Sequence, residues 1–129
     1  MYNPAMEAPE LTVRAVSTLS AAYVAGTIFS IDRKNNVGIE VIYTKGDETS
    51  ASLKVEVSND GGTTWIQQDA QSTSGGTVSE SLAVHQFTAT GNYALVVNPV
   101  RAQLMKISVL ATGGTPTGTM GVRAVPTWS

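Results

Sequence analysis

Hydrophobic and polar residues alternate along much of this chain, and the alternation is clearest in residues 51–57. Apolar and charged side chains fall on opposite sides of this segment: Leu53, Val55 and Val57 against Lys54 and Glu56. A period of two residues with one apolar side predicts a half-buried β-strand.

The strand runs into a segment whose residues favour a tight turn. Asp60 is followed by Gly61 and Gly62, and aspartate and glycine favour turns because one bonds its own backbone and the other tolerates positive φ. Trp65 comes directly after the turn. The spacing predicts a turn formed by Asp60, Gly61 and Gly62 and anchored by the aromatic side chain of Trp65.

The remainder of the chain reads as further short strands separated by turn residues. The predicted strands cover residues 11–15, 27–31, 39–43, 78–87, 92–97, 102–111 and 118–125. Residues 102–111 are apolar on both faces, which predicts a central strand. About eight or nine short strands with regular turns predict an all-β sandwich or barrel.

Two segments carry other expectations. In residues 16–25, Val16, Leu19 and Tyr23 have helical spacing, which allows one short turn of helix. Residues 67–77 are almost entirely polar and predict a long loop.

The 129 residues predict one domain with an appended arm. Residues 1–10 contain two prolines and two glutamates without periodicity, so we expect an extended N-terminal arm, either disordered or docked on a neighbouring subunit. Residues 11–129 form the predicted β-domain. The first residues lack the basic start and apolar core of a signal peptide, so we expect synthesis in the cytosol without the usual export signal.

Composition removes several classes of function. Cysteine is absent, which excludes disulfides and thiol chemistry. The net charge is −2 and Arg33-Lys34 is the one adjacent basic pair, so we expect no nucleic-acid binding. No apolar run has the length of a membrane span. Charged residues make up 14% of the chain, a low share that suits either packing against copies or a partner, or simply a β-domain rich in serine and threonine.

The residues that could carry chemistry form no catalytic pattern. His85 is the single histidine and has no recognisable nucleophile or carboxylate partner, so we expect a structural or surface role. Asn59-Asp60 and Asp47-Glu48 offer oxygen atoms that calcium could use, but their spacing matches no calcium loop. The sequence therefore predicts a protein that is not an enzyme and holds no cofactor or metal.

The two tryptophans leave alternatives open. Trp65 either folds back as a lid on the core, which we favour, or stacks on a sugar ring. Trp128, which follows Pro126-Thr127 near the end of the sequence, either docks into a groove or lies at an interface.

Three segments carry a family resemblance. Residues 55–65 resemble the strand, Asp-Gly turn and tryptophan of discoidin-type jelly-roll sandwiches and of many small bacteriophage virion proteins. Residues 111–122, with the run Gly-Thr-Pro-Thr-Gly-Thr, resemble the closing hairpin of the phage proteins. Residues 99–107 match their penultimate strand, which is entered through a proline and a basic residue. The bracketing cysteines and the basic, aromatic-rich tip of sugar-binding discoidin domains are absent.

This resemblance implies a single-domain, jelly-roll-like antiparallel β-sandwich and a role as a virion component. The first expectation is a capsid decoration or cement protein that acts as a homo-oligomer, with a trimer favoured, and binds the major capsid protein. The alternatives are a carbohydrate- or receptor-binding sandwich and a neck or tail accessory protein. The candidate interface residues are Tyr2, Pro4, Met6 and Trp128.

Overall fold

The computed structural model describes residues 10–67, 70–74, 77–81, 84–97 and 102–127, with backbone alone for 70–74 and 77–81. Every regular element among these residues is a β-strand. The strands are β1 (Leu11–Thr18), β2 (Val24–Ala25), β3 (Phe29–Ser30), β4 (Asn36–Thr44), β5 (Ser50–Ser58), β6 (Ile66–Gln67), β7 (Ala70–Ser74), β8 (Thr77–Ser81), β9 (His85–Phe87), β10 (Gly91–Val97), β11 (Leu104–Thr112) and β12 (Thr119–Thr127). Nine of them have three residues or more, in agreement with the predicted number.

The strands form two antiparallel sheets and a separate hairpin. The four-stranded sheet has the order β1-β12-β4-β10. The six-stranded sheet has the order β2-β11-β5-β6, with β3 also paired to β11 and β9 also paired to β5. Strands β7 and β8 pair with each other. The predicted all-β, jelly-roll-like sandwich is confirmed, and β11 is the central strand that its apolar sequence predicted.

The core lies between the two sheets and is built from alternate residues of their central strands. Along each of these strands, every apolar core residue is separated from the next by one residue on the opposite face, as the pleat requires. The buried core residues of the four long central strands are Val37, Ile39, Val41 and Tyr43; Ala51, Leu53, Val55 and Val57; Met105, Ile107, Val109 and Ala111; and Met120, Val122 and Ala124.

Two local predictions are wrong. Residues 16–25 contain no helix, because long-range bonds take their backbone groups: Leu19 N–H donates to Gly118 O, and Ser20 O accepts from Ala111 N–H. The predicted loop 67–77 includes strand β7 and the start of β8, because strand pairing needs backbone groups and not apolar side chains. The predicted arm, apart from Glu10, lies outside the described residues.

Two of the connections that cross from one sheet to the other meet at one end of the sandwich. One leads from β4 to β5 and the other from β11 to β12. Asp47 N–H donates to Thr117 Oγ1 at 2.8 Å, and Thr49 N–H donates to Thr112 O at 2.9 Å. The two crossovers are therefore bonded directly to each other.

The carboxylate of Glu48 lies at the centre of this corner and is fully buried. Its Oε2 accepts hydrogen bonds from Tyr43 O–H at 2.7 Å and Gly46 N–H at 2.9 Å. Its Oε1 accepts from Gly118 N–H at 2.8 Å and Thr117 N–H at 3.2 Å. A buried carboxylate is tolerated when its lone pairs are filled in this way, so one side chain joins both crossovers.

The corner holds Glu48 in its ionised form. Burial by itself raises the pKa of Glu48, but hydrogen bonds from Gly46 N–H, Tyr43 O–H and Gly118 N–H outweigh burial and lower the pKa to about 2. Burial and the neighbouring Glu48 carboxylate raise the pKa of Tyr43, which therefore remains a neutral donor. Gly118 has to lack a side chain, because a Cβ there would overlap Glu48 Oε2.

We expect Glu48→Gln to lower the free energy of unfolding at pH 7 by about 3 kcal/mol, because a pKa lowered from 4.5 to about 2 corresponds to that amount. The folded-state pKa is the lower one, so this stability is present above pH 4.5 and is lost as the pH falls toward 2. Urea unfolding between pH 7 and pH 2.5 measures both effects, and the variant should lose less stability over that range than the parent.

Glu40→Gln is the matched control, because Glu40 is exposed and lies 3.5 Å from Arg123. Exposed ion pairs contribute about 0–1 kcal/mol. Equal losses in the two variants would contradict the role assigned to Glu48.

Candidate interaction surfaces

The turn after β5 is closed by side-chain hydrogen bonds. Asp60 Oδ1 accepts from Ser58 O–H and from Thr64 N–H, each at 2.8 Å. The bonds from Thr64 and Ser58 lower the pKa of Asp60. Gly61 and Gly62 have φ values of 73° and 96°, in the left-handed region that favours glycine. The role of the Asp-Gly-Gly sequence is therefore to allow the backbone conformation of the turn.

The indole ring of Trp65 lies on the outer face of the six-stranded sheet. Lys106 Nζ is 4.5 Å from the ring centroid, and Lys106 points outward because its neighbours Met105 and Ile107 are buried in the core. Sequence analysis favoured Trp65 as a lid on the core, whereas the structure places the ring on the opposite side of β11. After the turn the chain returns beside β5 as β6, and the ring of Trp65 reaches Lys106 of β11, which the sequence spacing did not indicate.

A row of three charged side chains between two aromatic rings crosses this outer face, and we call it the charged ladder. Its members in spatial order are Tyr23, Lys54, Glu56, Lys106 and Trp65. Glu56 Oε1 lies 3.7 Å from Lys54 Nζ and 3.9 Å from Lys106 Nζ. Lys54 Nζ lies 4.4 Å from the centroid of the Tyr23 ring.

The charged ladder suits packing better than catalysis or sugar stacking. Each lysine ammonium is shared between a carboxylate and a ring face, and such cation–π contacts contribute about 0.5–1 kcal/mol at exposed sites. Trp65 is half-buried and one face of its ring is held by Lys106, so that face is not open to a sugar. Sequence analysis missed Tyr23 and Lys106 as its members, although the outward positions of Lys54 and Glu56 pointed to this face.

The outer face of the four-stranded sheet is different, because small and apolar residues dominate it. Val16 and Val96 are 59% and 65% exposed. Gly38 lies opposite Val96 in the sheet, and Ala94 is exposed on the same side. We call this surface, defined by Val16, Gly38, Ala94 and Val96, the neutral face. Val16 lies on β1 and Val96 on β10, so the two exposed valines stand at opposite edges of the sheet.

One ion-pair row crosses the neutral face. Arg123 lies 3.4 Å from Glu10 and 3.5 Å from Glu40, and all three side chains are about half exposed. Glu10 is the last residue of the predicted arm, so this contact fixes where the arm joins the sheet.

The structure does not group the candidate calcium ligands or His85 into a metal site among the described residues. Both carboxylate oxygens of Glu48 accept bonds from N–H and O–H donors, which removes Glu48 from any calcium site. Among the described residues, no three aspartate, glutamate or histidine side chains are grouped for a metal ion. His85 lies exposed on β9, and partial burial lowers its pKa. The described part of the chain has no helix long and apolar enough to cross a membrane.

The remaining predicted site residues are the candidate interface set. Tyr2, Pro4, Met6 and Trp128 lie outside the described residues.

Comparisons with known proteins give a fold and no family. No protein-family model matches the sequence, and no curated protein matches it. The SPBc2 prophage-derived protein YomS has a similar structure, with a TM-score of 0.53 and 12% identity over 92% of this chain and 90% of that chain.

Two other similar structures come from large assemblies. A chain from Bacillus endospore appendages, described as disulfide-linked pili, has a TM-score of 0.51 and 11% identity over 93% of this chain and 87% of its own. A chain from infectious bursal disease virus, Gx strain, has a TM-score of 0.54 and 10% identity over 92% of this chain and 31% of its own. At these identities, the similarity establishes a shared β-sandwich fold.

We expect Gly61→Ala to lower the free energy of unfolding by about 1 kcal/mol, because a Cβ disfavours a φ of 73°. The space around Gly61 is open, so backbone strain is the only cost. Gly38→Ala is the control: its Cβ would meet nothing closer than Val125 O at 3.9 Å, and alanine suits a strand better than glycine. Chemical unfolding of both variants measures the difference, and an equal or larger loss for Gly38→Ala would contradict the assignment.

Proposed function

We propose that this chain is a non-enzymatic structural protein of a bacteriophage particle, of the capsid decoration or cement type, which binds the assembled shell and stabilises it. The observation that carries the proposal is the neutral face, on which Val16 and Val96, at opposite edges of the sheet, are more than half exposed. The shared fold with a prophage-derived protein and with chains of a pilus and a virus particle supports it.

The proposed mechanism is adhesion between β-sheet surfaces and shell subunits. Burial of apolar surface contributes about 25 cal/mol per Å², and stable protein interfaces bury about 1,200–2,000 Å² in total. The neutral face supplies apolar contact area. The arm, which joins this face at Glu10, and the segment around Trp128 extend the contact to neighbouring subunits.

The charge distribution supports adhesion over electrostatic recruitment. Only 14% of the residues are charged, and the net charge is −2. The described charged groups are largely occupied: Glu48 in the corner, Asp60 in its turn, and Lys54, Glu56 and Lys106 in the charged ladder. Binding that rests on apolar contact responds weakly to salt, whereas binding that rests on charge weakens as salt screens it.

Composition of purified particles tests the proposal and its alternatives. We expect mass spectrometry of phage particles, produced from the genome that encodes this chain, to find it at a copy number comparable to that of the major shell protein. Antibody labelling should cover the whole capsid. A small fixed number of copies at one vertex would refute the decoration role and support the neck or tail alternative. Absence from particles would refute the virion role.

The arm has its own test. We expect deletion of residues 1–9, which retains Glu10 and its contact with Arg123, to weaken binding to particles that lack the protein, because the arm extends the contact beyond the neutral face. Co-sedimentation measures the fraction bound at low and high salt. Asp32→Asn, which changes an exposed residue in the turn between β3 and β4, is the control. Full occupancy by the shortened chain would remove the arm from the binding mechanism.

A further inference from the structure

Strand β10 forms one edge of the four-stranded sheet and lacks the usual protection of an edge. Its register with β4 is regular from Gly91 to Val97, without a bulge. The strand contains neither a charged residue nor a proline. Among the described strands it pairs with β4 alone. A long, regular, uncharged edge offers unpaired backbone groups that another extended strand can bind.

The other edges of the two sheets are protected. Strand β1, at the opposite edge of the same sheet, has register shifts on both sides of Arg14. The Arg14 guanidinium donates to Met120 O and Thr18 O, each at 3.0 Å, and places a charged group beside this edge. The edge strands of the six-stranded sheet, β2, β3, β6 and β9, have two or three residues each. Bulges, charges and short length are the devices that prevent edge pairing, and β10 has none of them.

The apolar side chains of β10 are also only partly covered on both faces of the sheet. Tyr93 and Leu95 point inward and contact the core, yet both remain partly exposed. On the outer side, Val96 is 65% exposed, the largest exposure among the large hydrophobic residues described. A strand placed beside β10 would cover both sets, because side chains on neighbouring strands lie next to each other on each face of a sheet.

We propose that β10 pairs antiparallel with β10 of a second copy of this chain and joins the two four-stranded sheets into one continuous sheet. Two identical strands overlap completely when the twofold axis passes midway between Ala94 of one copy and Ala94 of the other. This register places Tyr93 beside Leu95 of the second copy, so the two half-covered inner residues cover each other. Because the strand is uncharged, two copies meet without repulsion.

The pairing describes contact between copies and does not depend on binding to a shell. A twofold contact builds dimers, whereas the sequence expectation favoured a trimer. The neutral faces of both copies lie on the same side of the joined sheet, which doubles the surface available to any partner.

A charge placed on the axis tests the pairing. Ala94→Lys adds an ammonium that faces Glu40 within its own chain, which suits the folded monomer, but meets its own copy across the axis. We expect light scattering over a dilution series to give a dimer for the parent chain and a dissociation constant raised about tenfold or more for the variant. Ala15→Lys, the same substitution on the exposed part of β1, should leave the dimer unchanged, and thermal unfolding should show that both variants are folded.

Single cysteines test the register, because the chain contains none of its own. Facing residues of paired strands have Cα atoms about 4.5–5.5 Å apart, within the range that a disulfide spans. Ala94→Cys should therefore form covalent dimers under mild oxidation, whereas Asn92→Cys should not, because its two copies would be roughly 13 Å apart along the strands. A mixture of Asn92→Cys and Val96→Cys should link the two variants to each other.

The same measurements can overturn the proposal. A parent chain that stays monomeric at every concentration, with no link through Ala94→Cys, would refute the pairing. A trimer or ring that Ala94→Lys leaves intact would refute it as well. Cross-linking of Ala94→Cys to the shell protein on particles, without links between copies, would assign the edge to a different partner and refute pairing between copies.

Discussion

The buried carboxylate of Glu48 is the constraint on which the two-layer arrangement depends. The crossovers from β4 to β5 and from β11 to β12 converge on it, and Oε1 accepts hydrogen bonds from N–H groups on one crossover while Glu48 itself belongs to the other. Tyr43, at the end of β4, completes the site from the core side. Four donors offset the cost of burying the charge, so one carboxylate joins the two crossovers.

The outer faces of the two sheets take no part in this corner, and they differ in the side chains that they carry. On the six-stranded sheet the charged ladder covers the surface with groups that satisfy one another, so little remains to attract a ligand. On the four-stranded sheet, Val16 and Val96 are exposed at the two edges, and one exposed ion-pair row lies around Arg123. The asymmetry agrees with the proposal that the four-stranded sheet is the side that meets other proteins. The unprotected edge at β10 belongs to the same sheet, so pairing through that edge would bring the neutral faces of two copies together on one side.

Much of the fold could be predicted from local pattern. The alternation of Leu53, Val55 and Val57 identified a half-buried strand, and the apolar residues 102–111 identified a central one. The Asp60-Gly61 turn followed from the chemistry of aspartate and glycine. These predictions work because a period of two and a positive φ are local properties. Helical spacing in residues 16–25 gave a wrong prediction for the same reason. Local spacing contains no information about the hydrogen bonds that Leu19 and Ser20 form with distant segments.

The candidate surfaces required the tertiary structure. The sequence presents Glu48 as an exposed loop carboxylate, and its burial depends on the N–H group of Gly118, which lies 70 residues further along the chain. The position of Trp65 likewise depends on Lys106, a residue of another strand. By itself, the sequence determined the β-class, the turn chemistry and the low charge, since these follow from residue type and spacing. Strand order decided which carboxylate is buried, which face is neutral and which edge is open, because those properties arise only when distant segments lie side by side.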